Sequence, residues 1–386
     1  MAGRYPWLRL SDGLENEIEQ LKEEGRRVDK EFEDAVRAVL ELPDGHEKDI
    51  KASKLFEQGQ ALPYLSGENE EPDALEDIFS LAEGNPAPES FDRAKAYDRI
   101  YGAWLGRCAG CLLGKPVEGW HTPEIHRYLR ESGNYPLSRY IRSMRPEDAG
   151  RAFIDQVDCM PEDDDTNYTV IGLKLVEEHG RDFKPEDAAD CWLRNLPILH
   201  LCTAERAAYR NLVMSIDPSA SATYCNGYRE WIGAQIRADL FGYINPGDPH
   251  TAAAMAWRDA SISHVKNGIY GEMFVAAMLA KAAVSEDTVS VIRAGLNEIP
   301  RRSRLHTAVE DVLTWHGQGA SYDEAIQRIS ARWDEYNPHH WCHTISNAQI
   351  VAAALLYGGG ELGTTLCKAV MPGFDTDCNG ATAGSV

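Results

Sequence analysis

Two short runs of this sequence hold more carboxylates than helix capping requires. The first is Pro161-Glu-Asp-Asp-Asp-Thr-Asn-Tyr168, which leads straight into the helical run VIGLKLVEEHG. One aspartate at that point satisfies orphan N–H groups and the positive end of the helix dipole. Three in succession behind Glu162 repel one another and need a counter-charge, for which a hard divalent cation with oxygen ligands is the economical source. The second run is Gly373-Phe-Asp375-Thr-Asp377-Cys-Asn379-Gly380. Its alternating acids resemble the start of an EF-hand loop, but the twelfth position, which should be a bidentate Glu, is Val386. If the Asp163–Asp165 and Asp375–Asp377 clusters converge, they make an oxygen-rich site able to hold two hard cations. Spacing alone leaves convergence open.

Other residue types invite chemistry and mostly decline it. Gly114-Lys115-Pro116 has the Gly-Lys pair of a phosphate loop, yet Ala109 stands where the first glycine belongs and Pro116 where Ser or Thr is required. Cys108-Ala-Gly-Cys111 has the spacing of a zinc or redox pair, but no second CxxC exists, so both cysteines read as buried small residues. His339-His340-Trp-Cys342-His343 offers nitrogen and sulfur ligands at spacings that fit no zinc finger, and it reads as structural. His264, ahead of a small-residue helix, reads first as a packed or capping residue.

The elements that must position these groups are helices. Three-to-four-residue apolar spacing predicts them at 94–113, 166–178, 250–262, 267–284, 306–316, 322–333 and 344–357, and period-two alternation is nearly absent. With no fixed-period repeat, the fold class is all-α, a compact multi-helix bundle rather than a solenoid. Gly102, Gly106, Gly110 and Gly114 fall on one face of the first of these helices. Each glycine costs a helix roughly 1 kcal/mol against alanine, so four of them imply a close backbone approach. Residues 1–95 differ from the rest. They are charge-dense, with Ile18, Leu21, Val28, Phe32, Val36 and Leu40 at helical spacing, followed by a loop-like stretch holding Pro63, Gly67, Pro72, Gly84, Pro86 and Pro88. They read as a helical extension, a solvated amphipathic helix with no catalytic part, packed on a larger domain.

The 386 residues carry 39 Lys+Arg against 61 Asp+Glu, a formal charge of −22. That balance excludes a general nucleic-acid binder, whose affinity needs a basic footprint. An apolar run of about 18 residues is missing, which excludes a membrane-spanning helix. Nine scattered cysteines and an N-terminus without an apolar signal core suggest the reducing cytoplasm.

Taken together and in order, these segments resemble the ADP-ribosylglycohydrolase family, the dinitrogenase-reductase-activating and J1-crystallin-like superfamily, over about residues 96–386. The glycine-rich helix ending in Gly-x-Pro-x-Glu looks like Gly102 through Glu118. The Thr-Asp-Asp-Thr motif matches Asp163-Asp164-Asp165-Thr166. The Gly-Ala-x-x-Arg loop is similar to Gly233-Ala234-Gln-Ile-Arg237. A Thr-His pair corresponds to Ser263-His264, and the closing Asp-x-Asp motif to Asp375-Thr-Asp377. The resemblance implies an all-α cleft holding two Mg²⁺ ions, or Mn²⁺, and hydrolysis of the glycosidic bond at the anomeric carbon of ADP-ribose. It implies Asp163, Asp164, Asp165, Asp375 and Asp377 as metal ligands, and Glu118, Asp164 and Asp377 as catalytic residues, with Glu118 the acid/base or gate. Gly233, Ala234, Arg237 and His264 would bind substrate, an ADP-ribosylated protein or a small ribosylated molecule.

The sequence departs from the family pattern in several places. Cys111 replaces an Asp near the end of the glycine helix, Cys378 replaces a frequent Thr ligand, and Asp163 replaces Thr. The chain also stops at Val386, inside a helix that continues in family members, so the domain reads as lacking its C-terminal end. These departures keep two other readings in view: an N-glycosidase acting on a small ribosylated metabolite, and a non-catalytic, crystallin-like binding relative.

Overall fold

The structure is a computed structural model that describes residues 5–65, 71–84 and 87–386; Gly67 and Pro86 of the loop-like stretch lie outside them. Twenty α-helices and no strand occur among the described residues, as the helical spacing predicts. None of those helices is long and apolar enough to cross a membrane. The seven expected helices all form, with ends within two residues of those read from periodicity.

The extension differs from the expected solvated helix. Its residues 14–60 fold as three helices, Leu14–Glu23 (α1), Lys30–Leu40 (α2) and His46–Gln60 (α3), and a short fourth, Leu75–Leu81, follows. Gly25, with φ of 79°, turns the chain after α1, and Asp29 caps α2 by accepting from the Phe32 N–H. Leu14, Leu21, Phe32, Val36, Leu55 and Phe56 form a small core of their own. Charge then fastens this unit to the rest of the chain. Glu17 and Glu24 both reach the Arg229 guanidinium, at 2.6 and 2.8 Å, with all three side chains buried.

Beyond the extension, the helices that matter for function are Ala96–Gly114 (α4), Asp164–His179 (α5), Thr203–Val213 (α6), Lys266–Ala282 (α7), Thr344–Tyr357 (α8) and Thr376–Ser385 (α9). The α7 and α8 sequences are apolar nearly all round, and both helices are buried along almost their whole length, which makes them the axis of the main core. The other helices wrap this pair, and α9 lies against α4.

The α4–α9 contact explains the glycine pattern. A Cβ on Gly106 would overlap the Gly384 carbonyl, one on Gly110 the Gly380 carbonyl, and one on Gly114 the Thr376 carbonyl. The approach is mutual, because a Cβ on Gly380 or Gly384 would strike the Gly110 or Gly106 carbonyl in return. Thr376 adds a hydrogen bond, its hydroxyl donating to the Gly114 carbonyl at 3.0 Å. Gly102 takes no part in this; nothing lies within 4 Å of where its Cβ would be. Gly110→Ala should therefore cost about 2–3 kcal/mol, since neither backbone can yield, whereas Gly102→Ala should be neutral or gain up to about 1 kcal/mol. Urea denaturation of both variants checks this, and equal stabilities would remove close helix contact as the reason for the spacing.

Candidate active site

The contact between α4 and α9 carries the closing motif toward the aspartate run. Gly373 and Phe374 both adopt left-handed backbone, with φ of 73° and 58°. That is costly for the buried Phe374 and persists only where the surroundings enforce it. Asn347 of α8 does so: its Oδ1 accepts from the Asp375 N–H at 3.2 Å and from Asn379 Nδ2 at 2.8 Å. On the other side, Asp163 is the N-cap of α5, its carboxylate accepting from the Asp165 N–H at 2.9 Å. The cap engages only one oxygen of Asp163, so that residue can serve both the helix and the cluster.

The two clusters converge. Ligand atoms of Cys111, Asp163, Asp165 and Asp377 all lie within 4.8 Å of one another, and so do those of Asp375, Asp377 and Cys378. Asp377 belongs to both groups. Asp165 Oδ2 and Asp377 Oδ1 are buried without a hydrogen-bond partner. Unsatisfied anionic oxygens are expensive in a protein interior, so they fit a site built for cations. Glu118 joins at the solvent side, within hydrogen-bond reach of Asp377. Asp164 is in neither donor group, but it lies among Asp163, Glu205, Glu118 and Asp375, with the Cys202 thiol beside it.

Burial, and then the neighbouring carboxylates, push Asp164, Asp165 and Asp377 well above the usual carboxylate range. Glu118 is raised by the protein packed around it and by Asp375, although its side chain reaches solvent. Two internal cations offset part of this charge. Lys115 pairs with Asp163, and buried Arg107 reaches Asp165 at 3.4 Å and Asp239 at 3.3 Å. A recess of about 350 Å³, lined by Lys115, Glu118, Arg151, Gln156 and Pro161 among others, opens beside the cluster.

The Gly233–Arg237 loop and His264, expected as substrate contacts, are buried behind this wall. Arg237 is buried against Glu205 at 2.7 Å, Glu272 at 3.6 Å and Asp259. Ala234 is buried, and a Cβ on Gly233 would overlap the Glu205 carboxylate. His264 is also buried, with its Nδ1 2.8 Å from the Ser263 hydroxyl, and burial lowers its pKa well below the usual value. Arg237 fixes one oxygen of Glu205, Gly233 leaves room for it, and the other oxygen stays buried and unpartnered. Sequence reading missed Glu205 because it lies inside Thr203–Val213, an unremarkable amphipathic helix. The only available signal was the unexplained need for both a glycine and an arginine nearby.

The histidine run forms a different device. His339 and His343 turn Nε2 toward Glu23 of α1, at 3.3 and 3.1 Å, and His340 approaches the same residue at 3.6 Å. Glu23, His339 and His343 are close enough together to hold an ion. Each Nδ1, however, already accepts an N–H: His339 from Trp231 Nε1, His340 from the Asp334 backbone and His343 from the Ile345 backbone. A neutral imidazole so engaged carries its hydrogen on Nε2 and has no lone pair left there for a metal. Burial opposes ionisation of Glu23, but its histidine contacts, His343 first, outweigh that and hold its pKa far down. The run is a carboxylate clasp for the extension.

The ADP-ribosylglycohydrolase family profile matches residues 92–386. Among solved structures, one titled an ADP-ribosylglycohydrolase-related protein complex aligns with a TM-score of 0.53 at 20% identity, covering 76% of this chain and 87% of that chain. At that identity the likeness concerns the fold. No curated protein gives a significant match.

Burial raises the Glu205 pKa to about 7, and Arg237 only partly counteracts it. Folding then takes up a proton, so this contribution to stability is complete below about pH 4.5 and is lost as the pH rises through 7. Glu17 is likewise raised to about 7, by burial, and follows the same course. In metal-free protein, Tm should fall between pH 4.5 and 7, and Glu205→Gln should flatten part of that fall. An unchanged slope would remove Glu205 from the titrating set.

Proposed function

Because this chain belongs to the ADP-ribosylglycohydrolase family and is thus a glycosidic hydrolase, we propose that it cleaves the bond at the anomeric carbon of an ADP-ribosyl group carried by a protein or small molecule. The observation that carries this reading is the convergence of two carboxylate clusters on the shared Asp377, with buried, unpartnered oxygens at Asp165 and Asp377. Divalent cations held there would orient the ribose hydroxyls and polarise a water.

The side chains divide the remaining work. Asp163, Asp165, Asp375 and Asp377 hold positive charge at the floor of the cleft. Glu118 stands at the solvent side with its pKa raised by burial and by Asp375, which suits a group that gives or takes a proton. Asp164 and Glu205 sit together where the sugar's hydroxyls would need acceptors. The recess beside Lys115 and Glu118 gives the departing group a way out. We assign this chemistry to residues 96–386 and read 1–95 as an extension that braces the domain. The nine free cysteines accord with a reducing, cytoplasmic setting.

Mass spectrometry of products after incubating metal-loaded protein with ADP-ribosylated peptides and small N-ribosides tests the substrate class. Free ADP-ribose is the expected product. Release of plain ribose alone would shift the reading to a small metabolite, and no hydrolysis of either substrate would leave a binding protein. Within the site, Asp377→Asn should weaken divalent-cation binding and lower activity by several kcal/mol, roughly 10³-fold, while the metal-free Tm moves little. Glu118→Gln should keep metal affinity and lower kcat by about 10²-fold. Calorimetry paired with steady-state kinetics separates the two. Metal binding and turnover like the parent's in Asp377→Asn would reduce the closing motif to a helix cap.

A further inference from the structure

Each of the two donor groups contains one cysteine. Cys111 reaches the site from α4, where its thiol lies within 4.8 Å of carboxylate oxygens of Asp163, Asp165 and Asp377. Cys378 reaches it from α9, equally close to Asp375 and Asp377. Both side chains are buried, at 0% and 8% exposure, so neither is a bystander on the surface. Cys108, the partner of Cys111 in the CxxC spacing, is in neither group, which separates the thiol at the site from a redox pair. The expectation that Cys111 is only a small packing residue is corrected by this placement.

We propose that Cys111 and Cys378 are metal ligands, one to each of two ions bridged by Asp377, and that this site prefers thiophilic divalent cations such as Zn²⁺ or Co²⁺ over Mg²⁺. The proposal rests on the cation-dependent reading above and deepens it. The acidic cluster does not carry it alone. Asp165 Oδ2 and Asp377 Oδ1, on side chains 0% and 3% exposed, have no hydrogen-bond partner among the described residues and belong to the donor groups that contain the thiols.

Donor chemistry sets the preference. Mg²⁺ demands near-octahedral oxygen coordination and gives up its water reluctantly, and a sulfur ligand offers it little. One sulfur with three carboxylate oxygens is a four-donor set of the kind tetrahedral Zn²⁺ or Co²⁺ accepts, with bonds of about 2.0–2.3 Å. The second group, one sulfur with two oxygens, supplies fewer donors than a tetrahedral ion takes, so water or substrate would complete it. Binding requires each thiol to lose its proton to solvent as the metal–sulfur bond forms, a loss that a dication beside the sulfur favours.

The test uses the full chain, stripped with chelator, and needs no substrate. Titration with Co²⁺ should produce a sulfur-to-metal charge-transfer absorption in the near ultraviolet and saturate near two equivalents. Cys111→Ser and Cys378→Ser should each remove about half of that band, while Cys159→Ser, at an exposed cysteine in neither donor group, leaves it unchanged. In competition against a metal indicator, the parent should bind Zn²⁺ at least about 10²-fold more tightly than Mg²⁺, and Cys111→Asp with Cys378→Thr should narrow that gap. Should a serine variant misfold, the parent's own spectrum still decides. Absence of the charge-transfer band in Co²⁺-loaded parent, or its survival in both serine variants, overturns thiol ligation. Hydrolysis supported by Mg²⁺ alone, with no such band, would sink this proposal while leaving the glycohydrolase reading intact. A strong band without hydrolysis of any ADP-ribosyl substrate would do the reverse.

Discussion

Where α4 crosses α9, carbonyl oxygens occupy the space that side chains normally fill between helices. Gly106, Gly110 and Gly114 meet Gly384, Gly380 and Thr376 with no atoms to spare on either side. Helix axes usually lie 8–10 Å apart because side chains hold them there. Removing those side chains lets the N-terminal turn of α9, with Asp377 and Cys378, settle beside Cys111 and the loop bearing Glu118. The positions of Asp375 and Asp377 in the cleft follow from that contact. The glycines lower the helix propensity of both segments, and only tertiary packing makes up the difference.

Bringing the charges together creates a second constraint, which the protein meets in layers. Lys115 and Arg107 supply positive charge at the cluster itself. Behind it, Arg237 serves Glu205, Asp259 and Glu272 together, so one guanidinium organises three buried acids and steadies the wall behind the carboxylate cluster. Breaking such buried pairs is far more costly than their net contribution to stability suggests, because the abandoned charge stays buried. The extension follows the same logic with the signs exchanged. Its Glu17, Glu23 and Glu24 neutralise Arg229 and engage His339 and His343 on the main domain. His343 directly follows Cys342, whose thiol lies 3.7 Å from Asp375, so the brace and the cleft meet along a single turn of chain.

Much of this was legible in the sequence, for identifiable reasons. The aspartate runs stood out because no capping rule needs three acids, and the four-residue glycine spacing because helices otherwise avoid glycine. Both signals are local. Glu205 was invisible because its importance depends on Arg237 and Gly233, thirty residues away and drawn together only by packing. The loop around Gly233 was legible as a motif but its burial against Glu205 was not, since spacing reports which residues are paired with something and not which way they face. Cys111 was discounted because a lone CxxC usually means little, and its carboxylate neighbours come from two other helices. The extension's three-helix form was hidden by a continuous amphipathic pattern across Gly25, whose positive φ breaks the run.

The thiols show how close packing limits the ligand choices open to this site. Cys111 lies one residue after Gly110, on a helix whose backbone already touches α9, so the side chain there has little length to use. Sulfur is larger than oxygen and bonds metals at about 2.3 Å rather than about 2.0–2.2 Å, which lets a short cysteine reach an ion that a serine at the same Cα would miss. An aspartate could also reach it, but it would add a further negative charge to a cluster where Asp165 and Asp377 are already pushed well toward protonation. A thiol can remain neutral until a cation arrives and lose its proton only then. The empty cleft thereby avoids part of the repulsion that a wholly carboxylate site would carry, and the fold need not hold as many like charges together before metal binds.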